Sequence, residues 1–182
     1  MKRIKVYVAG KVSAQSVFGT HDWRGKFCQQ LGDLLGQEIV NLDPTKAPTG
    51  FELDQNNERL IVGRNNFMIR EADIVVVCLS DDISVGGSQE MLIAKYYQKP
   101  LIGLAPRGGK FNKDVKELLG KEYHDYVDPY VKMSCDYIAT TIGEVADGIK
   151  KIMAARQAPK DLSVLDEVLE YYRDNYQPRD EI

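Results

Sequence analysis

The sequence of 182 residues has few of the residues that build metal sites and disulfide frameworks. It contains only two histidines and three cysteines, Cys28, Cys78 and Cys135, with no CxxC pair. This number and spacing predict neither a zinc site nor a disulfide framework. Each cysteine is interpreted as a small buried hydrophobic residue in a reducing environment. We therefore expect a cytoplasmic protein without a bound metal.

Basic runs and long apolar runs are also missing. The net charge is −3, and Lys and Arg are not clustered, so a nucleic-acid polymer is not an expected partner. No apolar stretch approaches the roughly 18 residues that span a bilayer, and we expect no membrane partner. The N-terminal MKRIKVYVAG is too short and too polar for a signal peptide. Single nucleosides and nucleotides remain open as ligands.

Two nucleotide-binding motifs are absent as well. The segment after the first predicted strand, VAGKVSAQS, has no GxGxxG pattern, and the chain has no Walker lysine motif. We therefore expect no dinucleotide cofactor and no NTP hydrolysis.

Apolar runs alternate with segments of helical period along the chain. This alternation predicts an α/β fold with a doubly wound, flavodoxin-like or Rossmann-like parallel sheet of five strands. We prefer the strand order 2-1-3-4-5, which periodicity alone does not determine. Residues 1–156 are predicted to form this single domain, and residues 157–182 its C-terminal helical extension. The predicted strands are Ile4–Ala9, Glu38–Leu42, 73–79, Leu101–Leu104 and Tyr137–Ala139. The predicted helices are Trp23–Leu35, Asn56–Ala72, Gly86–Gln98, a short one at Val115–Leu119, Ile142–Ala155 and Leu162–Tyr172.

The segment 73–105 carries the strongest functional pattern. An apolar strand is followed by Gly86 and Gly87, and then by Glu90 near the start of a helix. Open α/β sheets bind ligands at this carboxyl edge, and the glycines let the backbone approach a ligand. Ser84 and Ser88 add hydroxyl groups. Glu90 there could attack carbon, take a proton or hold a sugar hydroxyl; its simpler role is to stabilise the helix N-terminus.

Two further candidates lie at strand and helix ends. Asp73 opens the third strand and either ties down the preceding helix or faces the crevice beside Glu90. The loop 11–22 ends at Trp23 and Arg24, and loops of this length are often functional. Trp23 could stack on a planar ligand, while Arg24 could donate to a carbonyl or an anion or pair with a surface acid.

These residues together resemble the nucleoside 2-deoxyribosyltransferase superfamily, which includes related nucleotide N-glycosidases. The matching pieces are VYVAG, the segment READI at 70–74, and SVGGSQEMLIAKYYQKPLIG. The similarity extends over about three quarters of the chain, with its most specific part in the centre.

The resemblance implies particular roles for the matching residues. Glu90 corresponds to the nucleophile and Asp73 to the aspartate that contacts the base, while Tyr7 and Gly10 correspond to substrate contacts of the first strand. Trp23, Phe18 or Tyr7 would wall the base and Arg24 would orient it.

Two positions distinguish members of the superfamily. Ser84 resembles the members that hydrolyse deoxynucleoside monophosphates, in which the serine helps to hold phosphate. Asp128 corresponds to a residue that reaches the 5′ end of the sugar from a neighbouring subunit, where an aspartate suits a free hydroxyl. A homo-oligomer with shared active sites is therefore expected.

The resulting hypothesis is a transferase that cleaves the N-glycosidic bond of a (deoxy)nucleoside through a glycosyl-Glu90 intermediate and passes the sugar to another nucleobase. One alternative is an N-glycosidase that hydrolyses (deoxy)nucleoside 5′-monophosphates. An alternative of another class is a non-catalytic nucleotide-binding sensor domain on the same fold. None of these readings calls for a cofactor.

Overall fold

Seven strands and six helices are present in the computed structural model, which describes residues 3–11, 23–46, 49–50, 52–80, 83–155 and 158–180. The strands are β1 (Ile4–Ala9), β2 (Ile39–Leu42), β3 (Ile74–Cys78), β4 (Leu101–Leu104), β5 (Asn112–Leu118), β6 (Lys121–Val127) and β7 (Tyr137–Ala139). The helices are α1 (Trp23–Leu35), α2 (Glu58–Glu71), α3 (Val85–Tyr96), α4 (Pro129–Ser134), α5 (Ile142–Ala154) and α6 (Ser163–Asn175).

The central sheet has five parallel strands in the order β2-β1-β3-β4-β7. Since β7 is the fifth predicted strand, the predicted order 2-1-3-4-5 is confirmed. The chain reverses direction along the sheet between β1 and β3, which are direct neighbours with Tyr7 opposite Val75. In open α/β sheets, this reversal opens a crevice at the carboxyl ends of the strands.

Helices cover both faces of the sheet. Side chains of α1 and α5, including Phe27 and Ile149, pack on one face with Val6 and Val76. Side chains of α2, α3 and α4 pack on the other face, with Tyr7 and Val77. Because the central strands are covered on both sides, they are continuously apolar rather than alternating, as the sequence of β3, IVVVC, shows.

The prediction of a helix at Val115–Leu119 is wrong. The segment belongs to an antiparallel hairpin of β5 and β6, in which Leu118 pairs with Lys121 across a two-residue turn. Both turn residues have positive φ, 52° at Leu119 and 72° at Gly120. This is the geometry of a type I′ turn, whose twist matches that of the flanking strands.

The C-terminal segment is attached through Lys160 rather than through its helix. The Lys160 ammonium donates to the carbonyl oxygens of Lys132, Met133 and Cys135 at 3.2, 3.1 and 2.9 Å. None of the residues of α6 is buried. The division of the chain at residues 156 and 157 stays a prediction. Within the described ranges, no helix has both the length and the apolar character to cross a membrane.

Candidate active site

A cleft of about 410 Å³ lies at the carboxyl edge of the sheet, between α2, α3 and the ends of β1 and β2. It contains six of the residues singled out from the sequence: Gly10, Arg24, Ser84, Gly86, Gly87 and Glu90. Its remaining lining is Pro44, Thr45, Leu53, Gln55, Ile61, Arg64 and Asn65. Glu90 is the single carboxylate among these described lining residues.

Glu90 is buried and held by one of its two carboxylate oxygens. The Tyr7 hydroxyl donates to Oε1 at 2.6 Å, and Asn65 Nδ2 donates to the same oxygen at 3.2 Å. Among the described residues, no group donates to Oε2. The carboxylate is thus fixed in orientation while one oxygen remains available to a ligand in the cleft.

The electrostatic environment of Glu90 is a balance of opposing effects. Burial raises the pKa of the Glu90 carboxyl above its usual value, and the hydrogen bond from Tyr7 opposes this rise. The positive charge of Arg24 and the hydrogen bond from Asn65 also oppose it. Burial and the neighbouring Glu90 both raise the pKa of Tyr7, so its hydroxyl stays protonated and acts as a donor.

Arg24 lines the same cleft as Glu90 and is almost completely buried, with 1% of its surface exposed. Its Nε donates to the Val8 carbonyl at 2.9 Å and its Nη2 to the Gly10 carbonyl at 2.7 Å. These bonds fix the guanidinium plane at the end of β1. The third nitrogen, Nη1, is buried and has no hydrogen-bond partner in the described part of the chain.

The wall that α2 contributes was not predicted from the sequence. Arg64 donates to the carbonyl oxygens of Pro44 and Lys46 at 2.9 and 2.7 Å, which ties the loop after β2 to the helix. Asn65, the next residue, contacts Glu90. The signal was present in the sequence: Asn65 falls at helical spacing between Ile61 and Ile69, so it is a polar residue on an apolar helix face.

Ser84 caps the N-terminus of α3, where its hydroxyl accepts a hydrogen bond from the Gly87 amide at 3.0 Å. Gly86 and Gly87 follow in the first turn and line the cleft, while the close approach of their backbone to a ligand stays a prediction. A helix N-terminus with exposed amides favours negatively charged ligand groups. Ser88 behaves differently, because its hydroxyl donates to the Val85 carbonyl at 2.8 Å and is not part of the lining.

Asp73 does not face the cleft, contrary to the expectation that it lies beside Glu90. It precedes β3, and its carboxylate accepts a hydrogen bond from the Lys5 amide at 2.9 Å. This is the amino end of the sheet, so the length of β3, about 16 Å, separates it from the cleft. The alternative reading, in which Asp73 ties down the local backbone, fits this position.

Trp23 does not line the cleft either. Its ring is 2% exposed and belongs to the core beneath α1. A Cβ added at Gly10 would lie 3.2 Å from the Trp23 ring, so the glycine allows close packing of strand and ring. The predicted stacking of Trp23 on a ligand is therefore replaced by packing against the protein.

Two further predictions concern residues outside the described lining of the cleft. The Asp128 carboxylate accepts hydrogen bonds from the amides of Tyr130 and Val131 and thereby caps α4. Its contact with the site of a neighbouring subunit stays a prediction. Phe18, a candidate wall for the base, and most of the loop 11–22 lie outside the described residues.

Metal ligands are not grouped in the described ranges. There, no three His, Cys, Asp or Glu side chains lie close enough to hold an ion. The charged groups among the described lining residues are the Glu90 carboxylate and the guanidinium groups of Arg24 and Arg64, and the first turn of α3 adds backbone amides.

Comparisons with known proteins place this geometry in a known fold. The sequence matches no protein-family model, and no curated protein sequence matches it. Among solved structures, it is similar to a conserved protein from Enterococcus faecalis V583, with a TM-score of 0.58, 14% identity, and coverage of 83% of this chain and 99% of that one.

A second similar structure has a stated activity. It is a 2-deoxyribosyltransferase from Bacillus psychrosaccharolyticus, with a TM-score of 0.52, 15% identity, and coverage of 79% of this chain and 90% of that one. The resemblance found in the sequence is thereby confirmed at the level of the fold. The chain has the Rossmann-like fold of the nucleoside 2-deoxyribosyltransferases.

Proposed function

We propose that this protein cleaves the N-glycosidic bond of a (deoxy)nucleoside and passes the sugar to another nucleobase, with Glu90 as the nucleophile. The observation that carries the proposal is the state of the Glu90 carboxylate. Oε1 is held by Tyr7 and Asn65, while Oε2 is without a donor in the described structure and Glu90 lines the cleft. A general structural role would not require this arrangement.

The reaction proceeds by double displacement. Glu90 Oε2 attacks the anomeric carbon, the bond from that carbon to the base nitrogen breaks, and the base leaves with the electron pair. A second base then attacks the glycosyl ester through its own nitrogen, loses the proton on that nitrogen, and restores the Glu90 carboxylate. Two inversions at one carbon give overall retention, as in retaining glycosidases.

Tyr7 and Asn65 position the nucleophile in this scheme. Their hydrogen bonds favour the ionised carboxylate, which burial alone would disfavour. They also restrict its rotation, so that Oε2 rather than Oε1 faces the substrate. The pocket supplies orientation, which contributes to catalysis by removing the entropy cost of alignment.

Hydrolysis of a (deoxy)nucleoside 5′-monophosphate is the second candidate, and one observation favours it. Ser84 and the first turn of α3 line the cleft, and a helix N-terminus of this kind suits a phosphate group. Water would then take the place of the second base and release free sugar phosphate.

A substrate panel tests the proposal. The protein is incubated with nucleosides and their 5′-monophosphates, with and without a free acceptor base, and the products are separated by chromatography. We expect release of a base from at least one substrate and a new nucleoside when the acceptor is present. Release without any new nucleoside would select the hydrolase.

The variant Glu90→Gln is the matched control for this panel. It preserves the shape and an acceptor oxygen for Tyr7 but removes the nucleophile, and we expect turnover to fall by about 10³-fold or more. Failure of the wild-type protein to release a base from any substrate would exclude both enzymatic candidates.

A further inference from the structure

Cleavage of the N-glycosidic bond requires stabilisation of the leaving nucleobase, which Glu90 as the nucleophile does not provide. A nucleobase that leaves carries the electron pair of the broken bond, and it needs a proton or a compensating charge. Asp73, the residue expected to serve this purpose, lies at the other end of the sheet. Among the described lining residues no second carboxylic acid is present.

Arg24 is the one described lining residue whose buried donor lacks a partner. Its Nε and Nη2 are bonded to backbone carbonyls, but Nη1 has less than 1 Å² of exposed surface and no hydrogen-bond acceptor. Unsatisfied buried donors are rare in folded proteins, and a donor on a charged group is especially costly. A residue that lines the cleft thus carries a buried, unsatisfied N–H group.

The charge of Arg24 is also without an ion pair in the described structure. The guanidinium is 1% exposed, and its field favours ionisation of Glu90. A buried cation is retained only when some negative charge compensates it. The guanidinium carbon lies 4.4 Å from the centroid of the Trp23 ring, and among the described lining residues the carboxylate that can compensate its charge is Glu90.

Attack by Glu90 removes this compensation, because the carboxylate becomes a neutral ester. At the same moment one negative charge appears on the departing base. A guanidinium fixed beside both groups therefore faces one negative charge before and after the step. Preorganised charge of this kind lowers the barrier, since no reorganisation is needed when the charge moves.

We propose, on the basis of the function proposed above, that Arg24 is the catalytic residue that stabilises the leaving nucleobase, through a hydrogen bond from Nη1. Arg24 donates a hydrogen bond in this step and does not transfer a proton. The base leaves as an anion and takes a proton from water afterwards. An N–H donor selects a base with a carbonyl oxygen conjugated to the glycosidic nitrogen, because that oxygen carries the negative charge. The substrate class is thus the nucleosides of oxo bases.

A leaving-group series tests this role. The substrates are deoxyribosides of uracil and of 5-halogenated uracils, whose anions are progressively more stable and need less assistance. For Arg24→Gln, we expect base release from the uracil substrate to fall by about 10²–10³-fold. The loss should shrink by at least tenfold towards the most acidic base, which gives a steeper dependence of log kcat on leaving-group pKa than in wild type.

Arg24→Lys is the second variant, in case the loss of the bonds to Val8 and Gly10 prevents Arg24→Gln from folding. Lysine retains the positive charge but lacks the paired N–H donors of the guanidinium. We expect the dependence of log kcat on leaving-group pKa to be steeper than in wild type, but less steep than in Arg24→Gln. Arg64→Gln is the matched control, because Arg64 lines the same cleft but donates to the Pro44 and Lys46 carbonyls. It should lower all rates by one common factor.

The possible failures are distinguishable. If wild type releases bases but the Arg24 variants lose the same factor on every substrate, the role of Arg24 is overturned and the role of Glu90 stands. If wild type releases no base at all, the proposed function fails and this inference fails with it.

Discussion

At the scale of single residues, the cleft is organised around a conflict at Glu90. Burial favours the protonated carboxyl group, whereas attack on a carbon atom requires the carboxylate. Tyr7, Arg24 and Asn65 each shift the balance towards the carboxylate without overcoming the effect of burial. Under the proposed function, burial of Glu90 lowers the stability of the protein and provides a desolvated nucleophile.

Removal of the Tyr7 hydroxyl should move the pH dependence of activity. The variant Tyr7→Phe loses a donor that favours ionised Glu90, so the pKa of Glu90 rises further. The acidic limb of kcat/KM should shift to higher pH, with activity about tenfold below wild type on that limb and convergence at higher pH. A pH–rate profile measures this.

Tyr97→Phe is the control for that profile. Tyr97 is a partly buried tyrosine packed on the same side of the sheet, away from Glu90. Its variant should have the acidic limb of wild type. An unshifted limb in Tyr7→Phe would show that the hydroxyl does not act on the nucleophile.

Replacement of Glu90 by glutamine should stabilise the protein at neutral pH. The folded-state pKa of Glu90 is above its unfolded value, so the unfolded chain loses the proton first as pH rises. This ionisation destabilises the folded state above the unfolded pKa and is absent below it. We expect Glu90→Gln to raise Tm at pH 7 and to match wild type near pH 3.

Calorimetry at the two pH values is the measurement, with Glu52→Gln as an exposed control that should leave Tm unchanged at both. A lower Tm for Glu90→Gln at pH 7 would mean that the ionised carboxylate supports the fold.

A local pattern in the sequence was sufficient to predict that Glu90 lies at the carboxyl edge of the sheet, because a buried strand and a glycine turn precede it. Its role as nucleophile stays a prediction. Asp73 was misplaced because its role was taken from the resemblance, although a residue that opens β3 lies at the amino end of a parallel sheet. Asn65 was missed because its contact depends on how α2 and α3 pack against each other.

At the scale of elements, close contacts between helix and sheet define where small residues are required. In α5, a Cβ added at Gly148 would lie 2.6 Å from the Tyr137 ring. In α2, a Cβ at Gly63 would meet nothing within 4 Å. The two helices thus provide a matched pair of glycines with opposite surroundings.

The two alanine variants should have opposite effects on the free energy of unfolding. Gly148→Ala forces the helix away from β7 and should cost about 1–3 kcal/mol. Gly63→Ala gains helix propensity without a clash and should stabilise by about 0.5–1 kcal/mol. Urea denaturation measures both, and destabilisation by the two variants alike would contradict the packing described here.

The hairpin of β5 and β6 shows why one element was mispredicted. Val115, Leu118 and Leu119 recur at helical spacing, and no Asn-Gly or Asp-Gly pair marks the turn. The turn is instead Leu119–Gly120, which places a leucine at positive φ. Cross-strand pairing stabilises this conformation, and pairing cannot be detected from local periodicity.

At the scale of the whole molecule, the alternation of strands and helices predicted the parallel sheet, whereas the strand order 2-1-3-4-5 was a preference that connection rules alone do not determine. This pattern does not predict where the C-terminal helix α6 packs, because α6 does not connect two strands of the sheet. Its attachment depends on Lys160, which caps the carbonyl end of α4, and on the Asp136 carboxylate, which accepts from the Lys160 amide at 2.7 Å.

Truncation separates these contributions. Removal of residues 163–182 takes away α6, which buries no side chain, and should change the free energy of unfolding by less than about 1 kcal/mol. Removal of residues 158–182 also deletes the Lys160 contacts and should cost at least about 2 kcal/mol. Denaturant midpoints of the two truncated chains provide the comparison, and equal midpoints would contradict the role of Lys160.

The central claim is that Glu90 forms a covalent bond to the anomeric carbon of a nucleoside. Its most direct test is mass spectrometry of the protein after incubation with a nucleoside that carries fluorine at the 2′ position, which slows breakdown of the glycosyl ester. We predict a mass increase of one fluorinated sugar, located by peptide mapping at Glu90 and absent from Glu90→Gln. Release of the base with no adduct, or an adduct on another residue, would contradict the claim.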